Sequence, residues 1–77
     1  MNKPTRKRLQ ALIDSLESLK TELEQICENE QEKLDNIPEN LKSSERYERA
    51  EGICGYLETA LCSFEELIED ITSAIEE

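Results

Sequence analysis

Two long stretches of helical periodicity, separated by one break, decide what this chain can fold into. The break is Asp35 to Tyr47, DNIPENLKSSERY. Before it, Leu9, Leu12, Leu16, Leu19, Leu23 and Ile26 recur at alternating three- and four-residue intervals. That spacing puts all six on one stripe of a helix, as in a coiled-coil seam. Ile13, Cys27 and Leu34 widen the stripe, and Glu30 and Lys33 interrupt the strict heptad. After the break, three apolar columns each repeat every seven residues. They are Ala50, Leu57, Phe64 and Ile71; then Ile53, Ala60, Leu67 and Ala74; then Cys54, Leu61, Ile68 and Ile75. No two-residue alternation suggests a strand.

The break carries its own chemistry. Pro4 suits a first helical turn, where its missing N–H has no intrahelical partner, so helix 1 is expected over about 4–35. Pro38 disfavours helix at Ile37, and the short side chains of Asn36 and Asn40 suit a turn over about 36–43. Ile37 and Leu41 are expected to plug the end of the core. Ser43 or Ser44 can cap a second helix over about 44–76, with Glu45 in its first turn. These elements predict an all-α fold. A single domain, 1–77, forms an antiparallel two-helix hairpin resembling a coiled coil.

The two stripes differ in width. Helix 1 offers a narrow seam and helix 2 a broad one, so one helix cannot cover the other. The third column, with Leu61, Ile68 and Ile75, is expected to remain uncovered. Self-association into a four-helix bundle or a larger oligomer would bury it. The candidate interface is Cys54, Leu57, Leu61, Phe64, Ile68, Ile71 and Ile75. Gly52 and Gly55 are costly inside a helix. Either a close approach by another backbone or ligand, or local slack near the turn, would account for them.

Charge narrows the function classes. The net charge is −10, and no basic residue follows Arg49. Direct nucleic-acid binding is disfavoured, because phosphate backbones need a basic surface. Lys3, Arg6, Lys7 and Arg8 would sit beside Asp70, Glu76 and Glu77 in a hairpin, each cluster relieving the other; a basic nucleic-acid arm is the alternative. The start of the chain has no apolar signal-peptide core, and no apolar run approaches membrane-spanning length. Cys27, Cys54 and Cys62 form no metal-ligand spacing, and with no His in the chain a zinc site is not expected. They read as small buried hydrophobes of a reducing, cytoplasmic compartment. Nothing in the chain pairs a nucleophile with a base or cradles a phosphate, so neither catalysis nor a cofactor is expected.

Two surfaces remain as candidate sites. Lys42, Ser43, Ser44, Arg46, Tyr47 and Arg49 gather at the start of helix 2, where free N–H groups favour an anion. A phosphate or nucleotide could bind there. Equally, the arginines could pair with Glu28, Glu30 and Glu32 while Tyr47 caps the core. The second surface is acidic: Glu51, Glu58 and Glu65 repeat every seven residues, ~10 Å apart along a helix. It would suit a basic protein partner, or a loose mimic of DNA.

DNIPENL, then SERYERAE, then an apolar and acidic helix resemble small, acidic, uncharacterised helical proteins of Firmicutes bacteria and their phages and mobile elements. The similarity covers most of the chain and is most distinctive from Asp35 to Glu51. It implies a helical hairpin and a mobile-element setting, and it transfers no functional residue. The expected function is a non-catalytic, oligomeric interaction protein that binds a protein partner. The alternative is a phage counter-defence protein, acting as a sponge for a nucleotide signal or as an acidic inhibitor of a host protein.

Overall fold

The computed structural model describes every residue from Met1 to Glu77. It contains two long helices, α1 (Lys3–Asp35) and α2 (Glu45–Glu76), joined by a short 3₁₀ turn at Glu39–Leu41. The molecule measures 59 × 16 × 13 Å, with a radius of gyration of 17.6 Å. A compact chain of this length would have a radius near about 11 Å. The hairpin is therefore a rod. Neither helix is long and apolar enough to cross a membrane.

α1 starts one step earlier than Pro4 alone indicates. Asn2 is extended, and its Oδ1 accepts the Thr5 N–H at 3.0 Å. This satisfies one of the free donors of the first turn. Pro4 falls within that same turn.

The connection is built almost wholly from backbone hydrogen bonds. Asn36 N–H donates to the Glu32 carbonyl at 3.1 Å, and Ile37 N–H to that of Leu34 at 3.2 Å. Pro38 then adopts an extended conformation and ends the helical run. Leu41 N–H donates back to the Pro38 carbonyl at 2.9 Å. Ser44, the N-cap of α2, ties turn to helix: its Oγ donates to the Leu41 carbonyl at 2.7 Å and accepts the Tyr47 N–H at 3.2 Å. No residue takes a left-handed conformation. The side chains of Asn36 and Asn40 make none of the local hydrogen bonds for which they were expected to be useful. Ile37 is half-buried, whereas Leu41 stays 49% exposed. Only the first therefore acts as a plug.

The seam between the helices follows a strict heptad. From α1 it takes Leu9, Ile13, Leu16, Lys20, Leu23, Cys27, Glu30 and Leu34; from α2 it takes Tyr47, Ala50, Cys54, Leu57, Leu61, Phe64, Ile68, Ile71 and Ile75. All are buried or half-buried, and only Ile13, Leu34 and Cys54 fall below a tenth exposed. Both sets alternate in threes and fours, so each helix keeps the same face toward the other along its length. Leu34 lies beside Cys54, Cys27 beside Leu61, and Lys20 beside Ile68. The helices are therefore antiparallel.

This register corrects two expectations. Leu12, Leu19 and Ile26 are outside the seam, at 53%, 52% and 45% exposed. The positions they were expected to fill are taken by Ile13, Lys20 and Cys27. In α2, Leu61, Ile68 and Ile75 face α1 and are not the uncovered strip. The column left in solvent is Ile53, Ala60, Leu67 and Ala74, with Ile53 51% and Leu67 46% exposed. The whole candidate interface, Cys54, Leu57, Leu61, Phe64, Ile68, Ile71 and Ile75, lies within the seam of a single chain.

Candidate functional site

The seam divides the rod into two sides of opposite chemistry. On one flank of α1, next to the seam, come Gln10, Glu17, Glu24 and Gln31; on the matching flank of α2 come Glu51, Glu58, Glu65 and Thr72. These columns meet over three shallow depressions that share residues and run end to end. The first is lined by Glu17, Lys20, Thr21, Glu24, Glu65, Ile68 and Glu69. The second joins Glu24, Cys27, Glu28, Gln31, Glu58 and Leu61. The third joins Gln31, Leu34, Asp35, Tyr47, Glu51, Cys54, Gly55 and Glu58. The result is one shallow furrow with acidic walls, floored by the seam residues Lys20, Ile68, Cys27, Leu61, Leu34 and Cys54.

Glu51, Glu58 and Glu65 thus form one wall of a two-walled surface. Glu17, Glu24, Glu28 and Asp35 supply the other. The sequence holds a signal for that second wall in the heptad spacing of Glu17, Glu24 and Gln31, which registers only once the seam phase is known. Lys20 is the one cation lining the furrow. It lies on the seam with its side chain 29% exposed, and its Nζ reaches Glu65 Oε1 at 3.7 Å. Its methylene stem covers apolar surface while the ammonium leans toward the acidic wall. No other salt bridge links the two helices; Lys3, Arg6, Lys7 and Arg8 make none with Asp70, Glu76 or Glu77.

Since the acidic columns share one flank, the columns on the other flank share the opposite side. Leu12, Leu19 and Ile26 of α1 therefore run alongside Ile53, Ala60, Leu67 and Ala74 of α2. Tyr56, 81% exposed, borders this strip. At the turn, an apolar hollow lined by Ile37, Pro38, Leu41, Ser44, Arg46, Tyr47 and Ala50 extends it.

The cations at the start of α2 do not converge. Lys42 Nζ is held by Glu39 Oε2 at 3.0 Å, and this hydrogen bond and its attendant charge attraction raise the lysine pKa. Arg49 approaches Glu45 on its own helix at 3.9 Å, so the pairings with Glu28, Glu30 and Glu32 do not form. Both Ser44 hydroxyl interactions are spent on the cap. Ser43 is exposed. Arg46 and Tyr47 do come together, at the rim of the apolar hollow. Tyr47 belongs to the seam, and the first turn of α2 carries Glu45 and Glu48, which disfavour an anion there.

Gly52 and Gly55 have no structural neighbour to accommodate. A Cβ added at either would meet nothing within 4 Å. All three cysteines are free. Burial against α1 raises the Cys54 thiol pKa, with Glu30 adding to the effect, whereas Cys62 is exposed. No group of His, Cys, Asp or Glu side chains is placed to hold a metal ion. Comparison with protein-family models, curated proteins and solved structures finds no match.

Proposed function

We propose that this chain is a non-catalytic helical-hairpin interaction protein that self-associates and binds a protein partner. The observation that carries this reading is the two-sidedness of the rod: one flank an acidic furrow, the other an uncovered apolar strip. An apolar strip of that length favours association. The furrow suits a basic protein surface. Its walls hold fixed negative charge along the rod, with Lys20 as the one cation among them. In the mobile-element setting implied by the resemblance, that partner is a host protein.

Between the two forms of the counter-defence alternative, the acidic inhibitor has the better support. A nucleotide sponge needs convergent cations, whereas Lys42 is held by Glu39 and only Arg46 of the three lines the hollow at the turn.

Affinity capture from a bacterial lysate tests the reading. The wild-type chain is compared with a Glu51→Gln, Glu58→Gln, Glu65→Gln variant at low and high salt. The expected result is a basic protein held by the wild type, released by salt and missed by the variant. Equal capture by both chains would remove the acidic furrow from the account.

A further inference from the structure

We propose that the apolar strip docks against the same strip of a second copy, with the two hairpins antiparallel. This deepens the reading of a self-associating interaction protein and rests on it. Along α2 the strip alternates large and small: Ile53, Ala60, Leu67, Ala74. When two such helices are laid antiparallel about a two-fold axis between Ala60 and Leu67, each large side chain meets a small one. Ile53 faces Ala74 of the second copy, and Leu67 faces its Ala60. The same axis gives each contact twice, as a self-complementary interface requires.

Charge favours the same orientation. Arg49 and Glu77 lie on one column bordering the strip, at opposite ends of α2. The antiparallel pairing sets Arg49 against Glu77 of the second copy. Turned end for end on the same flank, the second hairpin would lay its α2 over α1, and Arg49 and Glu77 would no longer meet. The strip is also the side on which a chain of net charge −10 can approach its own copy, because the acidic furrows then point outward and away from each other. In area, the half-exposed Leu12, Leu19, Ile26, Ile53 and Leu67, with Tyr56, leave on the order of 500 Å² of surface per chain, so about 1,000 Å² over two copies, the lower bound for a specific interface. The pair would form a four-helix bundle carrying two acidic furrows on opposite faces.

Two experiments on the full chain test this. Light scattering at high micromolar concentration should give twice the chain mass for the wild type. The Leu19→Glu, Leu67→Glu variant should give the single-chain mass while keeping its helical circular dichroism. A wild type of single-chain mass would overturn both this interface and the self-association on which it rests. A variant that still associates would overturn the interface alone. Orientation is read by cross-linking, in chains whose exposed Cys62 is replaced by Ser. Ile53→Cys and Ala74→Cys variants, mixed and oxidised, should form mainly the mixed 53–74 disulfide. Only like-with-like disulfides would overturn the antiparallel arrangement, and this readout leaves the strip's remaining residues unaltered.

Discussion

The two flanks of this hairpin start from the same geometry and carry opposite chemistry. Each is a pair of heptad columns beside the seam. One pair is Glu-rich; the other is Leu, Ile and Ala. A lone two-helix hairpin needs solubility on both flanks, and only the acidic one provides it. The difference shows that the seam alone does not explain the sequence: a second apolar layer has been written beside it, on one side only. Burial also separates seam from strip. Leu61 is half-buried against α1, whereas Leu67, of identical composition, is 46% exposed.

The largest expected effect breaks that contrast directly. Leu61→Ala removes side-chain contact from the seam next to Cys27 and should cost about 2–3 kcal/mol, toward the lower end for a core leucine because the site is only half-buried. Leu67→Ala should change the stability of the single chain by under about 0.5 kcal/mol. Urea denaturation at low protein concentration, where association is suppressed, measures both. Equal losses would mean that the strip is part of the fold of one chain.

How much of this was legible in the sequence differs from residue to residue. The two helices, their break at Pro38 and the Ser44 cap follow from local chemistry, which a single sequence carries. The phase of the seam does not. Leu12, Leu19 and Ile26 are more hydrophobic than Ile13, Lys20 and Cys27 taken together, so ranking by hydrophobicity selects the wrong column. Lys20 is tolerated at a seam position because the rod is thin: its ammonium reaches solvent and Glu65 without leaving the interface. Burial in a thicker fold would have excluded it. In α2 the opposite holds: Ala60 and Ala74 make the exposed column the less apolar one, so hydrophobicity alone would place it outside, and what a single sequence lacks there is the phase that turns Leu61, Ile68 and Ile75 toward α1. Charge convergence at the start of α2 was also illegible. Sequence proximity gathers Lys42, Arg46 and Arg49, but their partners Glu39 and Glu45 are local too.

The glycines sharpen the comparison from the outer surface. Gly52 and Gly55 stand off the seam with open space where a side chain would begin. Each should therefore cost conformational freedom without a compensating contact. Gly52→Ala and Gly55→Ala should each stabilise the hairpin by about 0.5–1 kcal/mol, read from the thermal midpoint. Destabilisation at either position would show that something approaches that surface closely in solution, a second copy included.

A smaller effect concerns the furrow's own charge. Opposing walls of carboxylates repel across the seam, and Lys20 offsets only part of that. Glu58→Gln should stabilise the fold by roughly 0.5 kcal/mol in low salt, and by less as salt screens the remaining pairs. The same substitution should weaken capture of a basic partner. A fold stabilised equally at all salt concentrations would point to packing rather than repulsion as the source.

At neutral pH the smallest effect belongs to Cys54, and it grows with pH in a way that separates seam from surface. Burial raises the Cys54 thiol pKa in the folded chain. The sign follows from linkage: the folded state resists losing the thiol proton more than the unfolded state does. The seam's stability is thus complete below the ordinary thiol value of about 8.5 and declines as the pH rises through the raised one. Cys54→Val should match the wild type in urea midpoint at neutral pH and exceed it progressively in the alkaline range. Cys62→Val, at an exposed position outside the seam, should show no such divergence. Thiol labelling gives an independent reading, with Cys62 reacting fast and Cys54 only at the rate at which the hairpin opens. Parallel pH curves for Cys54→Val and the wild type would mean that water reaches that thiol freely, and that the seam is open at the end where Leu34 and Cys54 meet.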